Sequence, residues 1–575
     1  MNHRTRLAAL AAAALAAAPA AAQAPRTHGP LTFAPRPTTG EITAQDLRTR
    51  VYQLAADSMM GREAGTRGNV MATDYIAAEA RRIGLLPAGE DGTFFQQVPL
   101  VRRGVAEGAA LRVDGGPALA FGTDFLLVPT YGSVLRFADR FDARGVQVVY
   151  GGRVGDEAGM ISPQAAAGKL VVFAAPLGPN GQPASQFYAG GRTYERYADA
   201  AGVAFATLDY TSPGLAGFFR EPRTELAVAA PVEEGPRFPA GLIITTAAAE
   251  QLLGTPLAGA QVGAAGRTAT GTGAWFERAL EFPARNVVAV LPGSDPALRG
   301  QYVAIGAHND HVGMTHEPLD HDSLLAFNRI LRPQGLDQEP DAWTDASRAA
   351  FQAELARLRA LGPARLDSVF NGADDDASGT AGLLEIAQYF ASRATAPRRS
   401  ILFVWHTAEE MGLYGSEYFT DHPTVPLDSI VAQLNVDMIG RGAAGDVAAG
   451  GPGYLELVGS RRLSTELGDL VEEVNRTGAH GFAFDYGMDA DNHPQNIYCR
   501  SDHWNYARYG IPVTFFTTGG HSEYHMLTDE PQYVEFEKLA RVVRLVGAVA
   551  EAVADRDARL VVDKPRPDPN APCRQ

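Results

Sequence analysis

The chain has only two cysteines, Cys499 and Cys573, in 575 residues. Two thiols cannot build a cysteine-rich zinc cluster or a disulfide framework, although they can pair with each other and pin the tail "DKPRPDPNAPC" to the body. Basic residues are outnumbered, 50 Lys and Arg against 66 Asp and Glu, for a net charge of −16. A nucleic-acid partner or an anionic membrane surface is thereby disfavoured. Long apolar runs are also missing, and no stretch reads as an integral membrane segment. The serine elbow G-x-S-x-G does not occur, and "AGKL" at 167–170 is no phosphate loop. "HEPLDH" at 316–321 nearly spells H-E-x-x-H, but its second histidine is one position late and Pro318 disfavours the required helix.

What is present starts with a leader. "MNHRTR" is basic, "LAALAAAALAAA" is apolar but too short to span a bilayer, and small residues Ala20 and Ala22 precede Gln23. That order predicts a signal peptide over 1–22 and export to a periplasm or the medium. A Pro- and Thr-rich lead-in over 23–42 reads as flexible. Two helices follow from about Thr43, the second ending near Gly84. Between about 131 and 275, short β-rich runs such as "KLVVFAAP" and "PAGLIITT" alternate with Gly/Pro turns and predict a small inserted β-rich domain.

From Asn286 the texture changes. "NVVAVLPG", "YVAIGAH", "SILFVWH", "IVAQLNV" and "IPVTFFTTG" are short β-branched strands, and "GTAGLLEIAQYFASR" and "STELGDLVEEVNR" are helical. The alternation predicts an α/β fold, a sheet with helices on both faces. The body would occupy 43–130 and 276–556, a charged interruption at 315–370 would be a surface elaboration of the kind that flanks a site and can fold over it as a lid, and 557–575 would form a Pro-rich tail.

Ligand sites in open α/β sheets gather beyond the carboxyl ends of strands. The residues found there are the run His308-Asn309-Asp310-His311, then Asp374, Asp375 and Asp376 just before a helix, then Glu409 and Glu410, then Asp437, then His521 and His525. One such residue alone is more often a helix cap or a satisfied polar group. Independent caps, however, would also have drawn on Ser, Thr and Asn. Imidazole and carboxylate without thiolate suit zinc, with manganese and cobalt behind it. The number of ligands exceeds one tetrahedral ion and suits two ions sharing a carboxylate. Adjacent Glu409 and Glu410 then make sense as a base and a ligand pointing apart, with the cations offsetting their repulsion. Asp310, two residues from His308, would accept the second imidazole N–H.

"GAHNDH", "NGADDDASG", "HTAEEMGLYGSE", "LNVDMIG" and "EYHMLTDE", in this order, resemble the co-catalytic di-zinc aminopeptidases, the family of bacterial leucyl aminopeptidases and glutamate carboxypeptidase. The resemblance implies a mixed sheet of the zinc exopeptidase fold, a protease-associated-like insert at 131–275, two Zn2+ per chain and peptide substrates. It implies that His308 and Asp437 hold one ion, that Glu410 and His525 hold the other, and that Asp375, three residues before Ser378, bridges them. Glu409 would be the general base for a bridging hydroxide, Asp310 the orienter of His308, and Tyr524 a stabiliser of the oxyanion. The implied activity is an exported aminopeptidase. A carboxypeptidase or dipeptidase on the same fold is the first alternative, followed by a glutaminyl-cyclase-like acyltransferase and a non-catalytic binding protein. Oligomeric state is not legible.

Overall fold

Continuous burial along the predicted strands decides the architecture. In the computed structural model, described over residues 29–128, 137–178, 180–184, 191–227, 238–447 and 449–575, these strands form a nine-stranded sheet. The leader at 1–22 lies outside the described residues. At the centre, Ser400–His406, Tyr302–His308, Ile430–Val436 and Val513–Thr517 run parallel, in that spatial order. Ala284–Leu291 joins one side antiparallel to Ser400–His406, and Tyr454–Val458 joins the other antiparallel to Val513–Thr517. The sheet is therefore mixed, as the resemblance implied.

Successive residues of a strand face opposite ways, so each strand feeds two cores. Val303, Ile305, Ile401 and Phe403 pack on one face against the helices Ala44–Leu54, Ala377–Ser392 and Phe536–Ala554. Ala304, Leu402 and Val404 pack on the other against Phe419, Tyr506 and Ala507, from the short helices Tyr414–Asp421 and His503–Ala507. Both faces are covered, which is why these strands read as continuous apolar runs rather than alternating ones.

Two features differ from the sequence expectation. The inserted module is built on a ten-stranded sheet whose strands already include Leu100–Val105, Ala110–Val113 and Phe125–Val128, and whose long closing strand runs Ala265–Ala279. Its start is therefore near 100, not 131. Leu100–Val105 is amphipathic and carries no texture of its own; it joins this sheet by pairing with Ala265–Ala279. The lead-in is not free over its described part either. The Gly29 N–H donates to Gln532 O at 2.8 Å, Thr38 Oγ1 donates to Gln388 at 2.7 Å, and Thr39 bonds the Asp46 carboxylate. Lacking regular structure, 29–42 is held by hydrogen bonds to the helices it crosses, a long-range effect that composition cannot register.

The 315–370 interruption has its own secondary structure. Its ends are zipped together as the antiparallel pair Met314–Asp320 and Leu366–Val369, and the helices His321–Leu331 and Asp345–Arg359 lie between them. The turn Gly335–Asp337 packs on the loop carrying His521 and His525, with Leu336 N–H donating to Tyr524 O at 3.2 Å. The segment thus flanks the site, as an insertion of this length suggested. The structure also joins Cys499 to Cys573, with Cα atoms 5.7 Å apart, and the tail is anchored through that bond.

Candidate metal centre

Four parallel strands end side by side, and their carboxyl ends deliver the polar residues to one place. His308 closes its own strand, in register with His406 of the neighbouring one. Past His406 the chain turns sharply: Ala408 takes the left-handed φ of 54° and Leu413 that of 62°. Asp437 follows Val436 directly, and its carboxylate accepts the Ser501 hydroxyl at 2.8 Å. His525 also has a positive φ, 55°. In "NGADDDASG" the glycine is dictated by space. Gly372 has φ of 55°, and a Cβ there would lie 2.2 Å from Asp375 O and 2.6 Å from the His311 ring.

Asp375 occupies the middle of the group. One of its carboxylate oxygens is 3.0 Å from His308 Nε2 and the other is 3.0 Å from His525 Nε2. Asp437 stands 3.4 Å from the same His308 nitrogen, and Glu410 is 2.8 Å from the same His525 nitrogen. The two halves of the group are therefore linked by a single carboxylate. Glu409 interacts with His308 and Asp437, whereas Glu410 faces His525 and His311. The adjacent glutamates do point to different halves.

Two residues of the same runs are given no role by the sequence. His311 is the real omission from the assigned set. Its Nδ1 lies 2.6 Å from Glu410 and 3.7 Å from Asp375, beside the His525 half. It follows Asp310 in "HNDH", but a strand-end pattern counted from His308 does not say on which side the chain turns. Asp376 comes within ligand range of His308 and Asp437. Its carboxylate, however, accepts the backbone N–H groups of Gly379, His308 and Met438, which is the work of a helix cap. Asp310 departs from its expected contact. His308 Nδ1 is 3.1 Å from the Asp310 main-chain oxygen and 3.7 Å from its carboxylate, which instead accepts the Glu409 N–H at 3.2 Å. The residue steadies both the histidine and the glutamate loop, by different atoms. Tyr524 stacks on His525 with ring centroids 4.0 Å apart, and its hydroxyl accepts from Arg500 at 3.2 Å.

Beneath the group lies a buried frame. Asp529 accepts the N–H groups of Asp374 and Asp375 at 3.0–3.1 Å. Arg62, fully buried, donates to the carbonyls of Leu54, Asn371 and Gly372 at 2.7–2.9 Å. His521 belongs here and not among the ligands: its ring lies 3.2 Å from Asp374 and 3.4 Å from Glu523.

The electrostatics ask for positive charge. Burial pushes Glu409 well above the usual carboxylate range, with Asp437 and Glu410 adding to the push and His308 opposing it. Burial works to lower His525, yet Glu410 and Asp375 hold it up at about 11. His308 is likewise raised against its burial, by Asp437 and Glu409. With the chain alone, protons on the imidazoles neutralise the carboxylates. Several buried atoms still have no hydrogen-bond partner: Nε2 of His308 and of His311, one oxygen of Asp375 and one of Asp437. Such atoms are costly unless something coordinates them. His and carboxylate donors converging in two linked halves fit divalent zinc.

A cavity opens over the group. Asp375, Glu409, Asp437 and His525 line its floor, and Met438, Met488, Ile497 and Phe515 give it an apolar wall. Gln334 and Asp337, both from the interruption, reach its rim.

All eight expected site residues fall inside residues 286–550, and that stretch matches the sequence model of Peptidase family M28. That match covers a little under half of the chain. The resemblance drawn from the motifs is thus borne out. Leupeptin-inactivating enzyme 1 of Streptomyces exfoliatus is 41% identical over 78 residues, 13% of this chain and 18% of that protein. Leucine aminopeptidase 1 of Coccidioides posadasii strain C735 is 30% identical over 194 residues, 32% of this chain and 47% of that protein. The chain thus spans less than half the length of these relatives. A solved aminopeptidase from Aneurinibacillus sp. strain AM-1 superposes with a TM-score of 0.46 at 18% identity, over 92% of this chain and 98% of that one. No described helix is long and apolar enough to cross a membrane.

Proposed function

We propose that the chain is an exported zinc-dependent aminopeptidase that removes N-terminal residues from peptides, with His308, Asp375 and Asp437 holding one Zn2+ and Asp375, Glu410 and His525 the other. The observation that carries the reading is the Asp375 carboxylate, 3.0 Å from an imidazole on each side. Zinc bound there supplies Lewis-acid polarisation of a peptide carbonyl and lowers the pKa of a water. The chain's own residues do the rest. Glu409, made proton-hungry by burial and by Asp437 and Glu410 beside it, takes a proton from the attacking water on a carboxylate oxygen and returns it to the departing amine. The Asp310 carboxylate fixes the Glu409 backbone, and its carbonyl fixes the His308 ring. Tyr524 offers its hydroxyl to the developing oxyanion.

The direction of attack follows from charge. A carboxypeptidase needs a free cation for the substrate's terminal carboxylate. Among the described residues lining the cavity, Arg500 is the one arginine and there is no lysine, and both terminal nitrogens of Arg500 are bonded to Asp337. A carboxylate-rich floor suits a substrate ammonium instead. Export is supported by the leader and by the Cys499–Cys573 bond, which persists in oxidising compartments. We read the second module as a protease-associated-type insert from its position between the two parts of the body.

The test is hydrolysis by the zinc-loaded chain and its Glu409→Ala variant. The panel holds aminoacyl anilides, their N-acetyl forms, and short peptides with free or amidated C-termini. Cleavage that needs a free amine, lost about 10²–10⁴-fold in the variant with zinc retained, is expected. Cleavage that needs a free carboxylate overturns the direction, and a two-zinc protein that cuts nothing overturns the enzyme.

A further inference from the structure

The interruption at 315–370 puts one charged residue into the cavity, and it lands on the one cavity-lining arginine. Asp337 ends the turn Gly335–Asp337, which is bolted to the His525 loop by the Leu336–Tyr524 backbone bond and by the contact of Gly335 with the Tyr524 carbonyl. Its carboxylate meets the Arg500 guanidinium end-on, with the two N–H···O distances at 2.9 and 3.0 Å. Arg500 also donates to the Tyr524 hydroxyl at 3.2 Å, which keeps the guanidinium at the cavity wall independently of Asp337. About a third of the Arg500 side chain and a quarter of the Asp337 side chain remain accessible, so the pair is reachable from the cavity.

A bidentate guanidinium is the protein group best matched to a carboxylate. Here that receptor is already filled, by a carboxylate from the chain itself. The apolar wall of Met438, Met488, Ile497 and Phe515 then leaves the cavity able to take uncharged groups, with no free arginine or lysine in its lining for charged ones. We propose that Arg500 is a carboxylate receptor masked by Asp337, and that this pair determines substrate specificity by excluding substrates that present a carboxylate to the cavity. The ligand chemistry is a carboxylate, whether from an acidic side chain or from the C-terminus of a very short peptide. The inference rests on the aminopeptidase reading above.

Asp337→Ala and Asp337→Asn test it, with Arg500→Gln added to each. For the wild-type and variant proteins, kcat/KM is measured on leucyl, methionyl, glutamyl and aspartyl anilides. It is also measured on a Leu-Gly dipeptide and its amide. The anilides carry a carboxylate only in the side chain, and the dipeptide pair only at the C-terminus, so the two sources separate. Unmasking is expected to raise the ratio of carboxylate-bearing to uncharged substrate about tenfold or more, in one arm or the other. The gain should shrink with added salt and vanish when Arg500→Gln is combined. Asp337→Ala and Asp337→Asn serve each other as controls, one removing the side chain and one keeping its shape. Thermal melting of every variant separates a specificity change from loss of fold. Ratios unchanged in both folded variants overturn the mask, as does a gain that survives Arg500→Gln. Wild-type protein that cleaves none of the anilides fails the aminopeptidase reading instead, before any variant is compared.

Discussion

Replacing Asp375 by asparagine probes the link between the two halves of the centre. Its oxygens lie 3.0 Å from His308 Nε2 and 3.0 Å from His525 Nε2. Asparagine keeps the shape but presents its amide nitrogen to one half, and that half loses an anionic ligand and meets a donor in its place. At least one ion should be lost. An ion at a thousandfold excess over its Kd contributes about 4 kcal/mol to the folded state. With about 2–4 °C per kcal/mol for a domain of this size, the melting midpoint in zinc falls by roughly 8–16 °C. The assay is scanning calorimetry in zinc and in EDTA, with metal content measured on the same samples. In EDTA the gap between wild type and variant should narrow, because neither protein then holds the ions. An Asp375→Asn protein that retains two zinc ions and melts with the wild type refutes the bridge and the reasoning built on it.

Two further outcomes follow from groups around the centre. Arg62→Ala removes the buried fork that holds the carbonyls of Leu54, Asn371 and Gly372. We expect about 3–5 kcal/mol less stability in urea titrations, weaker zinc binding, and no rescue by lysine, which lacks the planar fork. Glu354 is held down to about 2 by hydrogen bonding to Arg357, against burial and with Arg329 assisting. Because its folded pKa is depressed, its contribution is full above about pH 5 and is lost as pH falls towards 2. With the pair partly exposed, that contribution is about 1–2 kcal/mol. Hydrogen exchange of the helix Asp345–Arg359 should show wild type better protected than Glu354→Gln at pH 6, with the difference shrinking on acidification; a difference independent of pH would falsify the ion-pair account.

The strand ends were legible because coordination limits residue type. His, Asp and Glu gather after four apolar strands and, as Asp374–Asp376, before one helix, and those strands are apolar throughout because both faces of the sheet are covered. Asp375 could be chosen from "DDD" by its distance from Ser378, and its two neighbours prove to be occupied with backbone N–H groups. His311 stands in the same "HNDH" run, but its role was not legible. Its partner Glu410 is 99 residues away, and only the turn after His308 brings the ring to it.

The sequence by itself determined the class of fold, the chemistry of the site and most of the residues that gather there, since local pattern and donor type suffice for those. Tertiary structure alone decided which atom of Asp310 meets His308, where the second sheet begins, and that Asp337 lies against Arg500. Each of these depends on which surfaces approach across more than a hundred residues or on how one turn is wound. A linear pattern carries neither.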